Sequence, residues 1–598
     1  MADDNLKNQQ RAAHGDKPRV SRRDFLRLAG VAAAAGATSP AMGLGTAVAA
    51  VNETFDHEVD VAVVGSGAAG AVAAIFAHEA GAKTVLVEKA FLFGGTTAKS
   101  GGVYWIPNNS FLRERGVTEP RENMLALMAR YSYPHLFNTQ AERLGLPENE
   151  YQLLVALYDN GPTVVEKLAA IGALISMPAD QPFGAMPDYF DPETSDAEPT
   201  DRRLWPRKPD GSFGLGGEMV RQLKEALVAR EVPLLMGHRA TKLLQNSDGA
   251  VVGLECTKID GTVVRIRARR GVIFGSGGFT HNKEMMLHFQ PGPNYGGCAV
   301  PTNEGDFVPM ATAAGAKLGH MHSAWRAQIV FEQAVQFSST PDDVFLPPGD
   351  SMMLVNKYGR RVINECVNYN ERTKVHFIWD AMKHEWPNQL LMMVYDKRTA
   401  ELFGGRFPLP PTGTTAPYVI KGDDLPGLAT AIKERIAKLA AHTGIFGLDD
   451  TFADNLGATI DRYNGFARRG VDDDFGRGSK RYDRLWHSRV WSYPNQGTEH
   501  SLDRANPTMH PLAENGPYYA ILLAPGTLDT NGGPITNPQA QVLDNGGAAI
   551  PGLYGSGNCV SSPTGSYYYA GGGTLGPAIT FGYLAGLGAA AEPEKKLG

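Results

Sequence analysis

The sequence predicts an α/β protein: a Rossmann-like dinucleotide-binding domain interrupted by an inserted α+β substrate, or cap, domain. Three observations carry this expectation. Residues 59–64 (VDVAVV) form an apolar strand that runs into Gly65-Ser66-Gly67-Ala68-Ala69-Gly70 and then a helix of small residues. A glycine- and tyrosine-rich segment, PGLYGSGNCVSSPTGSYYYAGGGTLGPAITFGYL beginning at Pro551, ends in a second small-residue helix at the opposite end. After Gly305-Asp306 and an Ala-rich helix at 310–318 the chain leaves the nucleotide-binding pattern near His320 and returns near Pro517, so the stretch between reads as an inserted domain.

The first motif works through its backbone. A tight strand-to-helix turn calls for Gly65, close approach of a pyrophosphate for Gly67, and close helix-to-strand packing for Gly70, with only the small Ser66, Ala68 and Ala69 between them. The helix N-terminus then offers unpaired N–H groups to the anion. Alone, this fingerprint also describes a glycine turn that merely packs. Here a second strand, residues 84–87, ends at Glu88-Lys89 about 20 residues on, where an acid holds the adenosine ribose. Residues 272–279 (VIFGSGGF) read as another strand and turn, bringing Gly275, Gly277 and Gly278 back to the same nucleotide.

Size and composition agree with an enzyme of more than one domain: 598 residues, 43% of them hydrophobic, with 69 glycines. A net charge of -6 gives no basic field for nucleic acid. The basic runs at 265–270 and 480–484 read as solvated faces. Cys256, Cys298, Cys366 and Cys559 stand far apart, without the spacing of an iron–sulfur cluster, a c-type haem or structural zinc. His281, His320, His322 and His376 have no metal-ligand spacing, so no metal is expected.

The N-terminus reads as a separate object. Residues 21–27 (SRRDFLR) match the twin-arginine export pattern, followed by an Ala/Gly-rich run to about residue 50 with small residues at 47–49 for a signal peptidase. The expectation is a cleaved signal over 1–50, passage through the twin-arginine machinery already folded, and a periplasmic or exported protein. The mature chain divides into a first nucleotide-binding part (51–319, with a loop or cap excursion at about 105–215), a substrate domain (320–516) and a closing nucleotide-binding part (517–598). Helical periodicity marks 151–171 and 217–230, and the Pro/Gly/Asp-rich stretch 178–216 reads as a long loop near the cofactor.

The segment Gly94-Gly95-Thr96-Thr97-Ala98-Lys99-Ser100-Gly101-Gly102 resembles the flavin-contacting loop of the fumarate reductase and 3-ketosteroid dehydrogenase superfamily. From residue 272 onward the chain is similar to the flavin-dependent 3-ketosteroid Δ1-dehydrogenases, through VIFGSGGFTHNKEMM, MLVNKYGRRVINECVNY (353–369), GVDDDFGRGSKRYDR (470–484), LDTNGGP (528–534) and the closing segment. The resemblance implies FAD, held by Gly95, Thr96, Thr97, Ser100, Gly101 and Gly102, by Gly557, Asn558, Gly573, Thr574 and Leu575, and by Ala240 and Asp306. It implies an external electron acceptor such as a quinone. Where fumarate reductases place an arginine proton donor, this sequence reads GSYYYAGG (565–572), so a carboxylate loses its bidentate partner and a neutral carbonyl gains a hydrogen-bond donor.

The resemblance also assigns roles. Tyr568 and the N–H of Gly572 match the pair that holds the ketone oxygen, Tyr369 matches the proton-abstracting base, and Tyr189 matches an assisting tyrosine over the flavin. An ordinary phenol titrates at about 10 and needs help to act near neutrality. The neighbouring Tyr567 and Tyr569 leave the register of Tyr568 open. Tyr569 stands where the family commonly has proline, which puts bulk beside the pocket and favours either a small cyclic ketone or a differently presented steroid. The expected function is desaturation α,β to a ketone, in a 3-ketosteroid or in a ring such as 4-oxocyclohexanecarboxylate. The alternatives are an ene reductase running the reverse reaction and a non-catalytic flavin carrier.

The flavin loop at 94–102 contains no histidine to bond the cofactor. We therefore expect noncovalent FAD: acid precipitation leaves a colourless pellet and a yellow supernatant, and a yellow pellet contradicts it.

Overall fold

The computed structural model describes residues 54–180, 186–189, 201–340, 347–487 and 505–597. The twin-arginine segment and its cleavage region lie outside these residues. So does 190–200 of the loop expected near the cofactor.

Strand β1 (His57–Val64) is buried from Val59 onward, as a parallel strand covered on both faces must be. It pairs in parallel with β2 (Thr84–Glu88) on one side and β9 (Val263–Phe274) on the other. Strand β6 (Leu234–Met236) extends the β2 edge. Beyond β9 lies the parallel β18 (Ala549–Gly555), then the antiparallel β17 (Gln541–Leu543), giving the order β17-β18-β9-β1-β2-β6. An antiparallel ribbon, β7 (His238–Gln245) and β8 (Val251–Lys258), attaches to β9. The glycine turns after β1 and β9 meet where the strands end: Gly275 N–H donates to Val64 O at 2.8 Å, and a Cβ on Gly65 would stand 2.5 Å from the Gly275 carbonyl oxygen. At φ +100°, only glycine fits at 65.

The helix Ala68–Glu79 follows the first turn, and the closing helix Leu575–Ala591 packs along it. Both are rich in small residues because their backbones nearly touch. A Cβ on Gly582 would lie 2.6 Å from Ala69 O, and one on Gly586 2.5 Å from Ala73 O. This contact ties the two ends of the sequence together and fixes Thr574-Leu575 over the cofactor side of the sheet.

The inserted part is built on an antiparallel sheet of β11 (Ala324–Val330), β15 (Tyr518–Thr530), β13 (Leu391–Asp396) and β12 (Met352–Val355), in that order, with β14 (Val419–Gly422) also on β15. Helices Leu425–Lys438 and Phe452–Arg469 join its core through Leu428, Ile432, Ile436, Leu456 and Ile460. This corrects one boundary. Residues 518–530, expected in the closing nucleotide-binding part, form the strand to which β11, β13 and β14 all pair. The chain re-enters the first domain only after Thr530. There β16 (Gly533–Pro534) pairs with β10 (Leu318–Gly319), so departure and return lie side by side.

Within the excursion at 105–215, β3 (Tyr104–Trp105), β5 (Arg203–Pro206) and β4 (Ser176–Pro178) make a small antiparallel sheet. The helices expected at 151–171 and 217–230 are present as Glu148–Ala170 and Gly216–Ala229.

Gly586→Leu forces the two glycine-lined helices apart. Overpacking of this kind costs about 1–3 kcal/mol, so thermal unfolding followed by flavin fluorescence should show a lower Tm and earlier cofactor release; an unchanged Tm and release temperature would show that the two helices do not depend on this close approach.

Candidate active site

A cavity of about 410 Å³ runs along the carboxyl ends of the parallel strands and out to the inserted sheet, where ligands bind in open α/β sheets. One group of lining residues, Glu88, Lys89, His238, Ala240 and Asp306, comes from β2, β7 and the loop before helix Phe307–Ala313. Another is aromatic: Tyr189, Tyr369, Tyr482, Trp486 and Tyr568. Between them the walls are glycine-rich, with Gly65, Gly101, Gly275, Gly557 and Gly572 contributed by five separate segments.

The loops are fastened to one another. Ser66 donates to Glu88 Oε2 through its N–H at 2.9 Å and its hydroxyl at 2.8 Å, while Ala90 N–H donates to Glu88 Oε1 at 2.8 Å. Glu88 therefore holds the first turn as well as facing the cavity. Lys89 pairs with Asp306 at 2.8 Å and Glu304 at 3.3 Å. Ala68 N–H donates to Thr97 Oγ1 at 3.1 Å, and Ser100 Oγ accepts from Gly102 N–H at 3.1 Å. The expected residues Gly67, Ala69, Gly95, Thr96, Gly277, Asn558, Thr574 and Leu575 also line the cavity. Gly70, Gly278 and Gly573 do not. Gly70 packs on the Gly65 carbonyl, Gly278 N–H donates to Asp529 at 2.9 Å, and Gly573 N–H donates to Ala570 O at 3.0 Å. A helix N-terminus, a fixed acid and glycine walls on several sides form the donor set an elongated dinucleotide with a flat ring system needs.

Sequence reasoning missed Asp529, Asn303, Arg203, Tyr482 and Trp486 as lining residues. Asp529 accepts from Gly278 N–H, Asn303 Nδ2 (2.6 Å) and Thr280 Oγ1 (3.0 Å), clamping the second glycine turn. Burial pushes its carboxyl above the ordinary value. Its one signal was the LDTNGGP motif, which was singled out without its acid. Tyr482 sat in a motif noticed for its charges.

The three aromatic hydroxyls assigned to catalysis do meet. Tyr189 Oη donates to Tyr369 Oη at 2.9 Å, and the ring centres of Tyr369 and Tyr568 are 5.5 Å apart. Tyr369 opens the short helix Tyr369–Lys374, which Asn368 caps by accepting from Glu371 N–H. The register of the triple tyrosine is resolved by what the other two touch. Tyr567 stacks on Tyr131, and Tyr569 packs on Trp105 and hydrogen-bonds Ser132 Oγ at 2.6 Å. Only Tyr568 of the three lines the cavity. The expectation that Tyr569 crowds the pocket is thereby corrected, because its ring is buried in the domain behind. Gly572 has φ +93°, and a Cβ there would stand 2.5 Å from Tyr104 Cα. No other residue can present its N–H at that spot.

Burial raises all three phenols. For Tyr568, hydrogen bonding with Tyr369, Thr574 and the Gly572 backbone works against that rise. The Tyr568 hydroxyl and Gly572 backbone thus share one small space beside the Tyr189–Tyr369 pair. A buried ion network holds this arrangement from behind. Arg361 forks onto Glu365 (2.9 and 2.7 Å) and onto Asp472 (3.0 and 3.0 Å), while Arg477 donates to Met352 O, Gly349 O and Glu365. It joins the segment leading to Tyr369 to the one leading to Tyr482.

Comparison with known proteins agrees with this geometry. The model of the FAD binding domain family matches residues 60–575. A 4-oxocyclohexanecarboxylate 2-dehydrogenase of Sinomonas cyclohexanicum is 32% identical over 566 residues, covering 88% of this chain and 92% of the relative. A 3-oxosteroid 1-dehydrogenase of Mycolicibacterium smegmatis is 32% identical over 594 residues, covering 90% and 98%. The crystal structure of 3-ketosteroid Δ1-dehydrogenase from Sterolibacterium denitrificans, in complex with 1,4-androstadiene-3,17-dione, superposes with a TM-score of 0.74 at 26% identity, over 90% of this chain and all of that one. The chain belongs to the FAD-dependent 3-ketosteroid Δ1-dehydrogenase family, oxidoreductases that act on CH–CH groups.

Because burial holds Tyr369 and Tyr189 above the ordinary phenol value of about 10, the phenolate fraction grows about tenfold per pH unit while the protein stays folded. The rate constant kcat/KM should climb through pH 9 without a plateau. A bell with its acid limb near 6.5, the ordinary histidine value, would remove Tyr369 as base. Tyr568→Phe, which removes the hydroxyl that the resemblance matches to the ketone-holding donor, should lower kcat by about 10² to 10³ with FAD content unchanged.

Proposed function

We propose that this protein introduces a C=C bond α,β to a ketone, with a 3-ketosteroid as substrate and desaturation at Δ1. The observation that carries the reading is the meeting of Tyr189, Tyr369, Tyr568 and the Gly572 backbone on one part of the cavity wall. A ketone oxygen placed between the Tyr568 hydroxyl and the Gly572 N–H gains two donors as negative charge develops on it. Its α carbon then faces Tyr369, which accepts the α-proton while the C–H electron pair moves toward the carbonyl. Tyr189 donates to the same Tyr369 oxygen and steadies the phenolate before that transfer. FAD bound along the glycine walls supplies the acceptor for the hydride leaving the β carbon, and an external acceptor of the quinone class takes the electrons onward.

Support for a steroid comes from three sides. Apart from Arg203, the lining at the tyrosine end is aromatic and apolar (Tyr482, Trp486, Leu528), Tyr569 leaves the pocket unobstructed, and the 3-oxosteroid relatives match nearly end to end. A smaller cyclic ketone is the second reading. It is supported by equal identity to the 4-oxocyclohexanecarboxylate dehydrogenase.

The test mixes FAD-loaded protein, oxygen-free, with 4-androstene-3,17-dione and an artificial acceptor dye. Bleaching of the flavin band and a product lighter by two hydrogens are the expected result. No bleaching with the steroid, but bleaching with 4-oxocyclohexanecarboxylate, moves the assignment to the smaller substrate. Bleaching with neither ketone overturns the dehydrogenase reading.

A further inference from the structure

The cavity wall beside the tyrosine pair carries a buried cation that the chemistry above does not use. Arg203 begins β5, and its side chain is only 8% exposed. Its Nε and Nη2 donate to the two Asp201 oxygens at 2.8 and 2.5 Å, and among the described residues its Nη1 has no hydrogen-bond partner. Arg203 lines the cavity and Asp201 does not. Asp201 stands behind it, accepting from the N–H groups of Met186 and Arg203. The ion pair is therefore oriented, cation inward.

Distances place this cation against the tyrosines. A Cβ on Gly571 would stand 3.5 Å from Tyr189 Oη and 3.7 Å from Arg203 Cδ, so the phenol and the arginine stem flank the same glycine. The guanidinium carbon lies 5.8 Å from the centre of the Trp486 ring, which itself faces Tyr189. The other groups facing Tyr189 are the phenols of Tyr369, Tyr482 and Tyr568, all raised by burial, and the carboxyl of Asp188. Burial pushes Asp188 up to about 6, and it is held by Arg202 at 2.7 Å and Trp105 Nε1 at 3.1 Å. Asp188 works against a phenolate on Tyr189, and Arg203 works for one.

We propose that Arg203 is a positioning residue for proton abstraction: its charge, facing the Tyr189–Tyr369 pair across Gly571, stabilises the negative charge those oxygens must carry to take the α-proton. The inference rests on the dehydrogenase reading. In the step it assists, the α C–H bond breaks, the proton passes to Tyr369 Oη, and the electron pair moves onto the carbonyl oxygen. Reversal returns a proton to the same carbon, so the step is observable as exchange and consumes no oxidant.

The experiment holds the FAD-loaded protein reduced with dithionite in D2O, adds 4-androstene-3,17-dione, and follows deuterium entry at C2 by mass and NMR. Arg203→Gln, which removes the charge, should slow exchange at least about tenfold, whereas Arg203→Lys, which keeps the charge and loses the fork to Asp201, should stay within about threefold of the parent. Arg203→Gln exchanging like the parent overturns the proposal. So does Arg203→Lys falling as far as Arg203→Gln with flavin spectrum and Tm unchanged, since the fork and not the charge would then matter. A parent protein that neither exchanges C2 nor desaturates any ketone overturns the underlying reading and this inference with it.

Discussion

The hydrogen bond from Tyr189 to Tyr369 joins residues 180 positions apart at 2.9 Å, and the organisation of the active site depends on it. One phenol comes from the excursion of the nucleotide-binding domain and the other from the inserted domain. Neither can act alone, because burial raises both. The fold must therefore deliver two distant segments to one point and surround them with groups that tolerate negative charge. The Arg361–Glu365–Asp472–Arg477 network does the first task on the inserted side, and Tyr189 N–H donating to Tyr569 O at 2.8 Å does it on the other. Such a network contributes little net stability for its size.

The same constraint explains why the closing segment is so dense in glycine and tyrosine. Its backbone must pass close to Trp105 at Gly572 and Gly576 and still present one hydroxyl and one N–H to the cavity. Of three consecutive tyrosines, two serve as anchors in the nucleotide-binding domain, on Tyr131 and on Ser132, and so aim the third. Helix Leu575–Ala591 begins immediately after and locks onto Ala68–Glu79 through glycines. The parts that line the dinucleotide end of the cavity and the tyrosine end proposed to polarise the ketone are thus mechanically continuous.

Local features of this site were legible in the sequence and non-local ones were not. The turn after β1 was readable because Gly65, Gly67 and Gly70 each answer a backbone requirement within one turn. Helices 148–170 and 216–229 were readable from their apolar period. The boundary near 517 fell before strand 518–530 and not after it, because the partners that place this strand in the inserted sheet lie roughly a hundred to two hundred residues away. Arg203 and Tyr482 were missed for a related reason, since each reaches the cavity through tertiary packing with no spacing that marks it, while Asp529 was passed over inside the LDTNGGP motif. Tyr189, Tyr369 and Tyr568 were found through resemblance, and the structure brings all three together.

The most direct test of this account is a crystal structure of the FAD-loaded protein with 1,4-androstadiene-3,17-dione. The account predicts the 3-keto oxygen within hydrogen-bond distance of both Tyr568 Oη and Gly572 N, with the neighbouring α carbon against Tyr369 Oη. A ketone oxygen bound elsewhere in the cavity, with Tyr369 turned away from the ring, would contradict it.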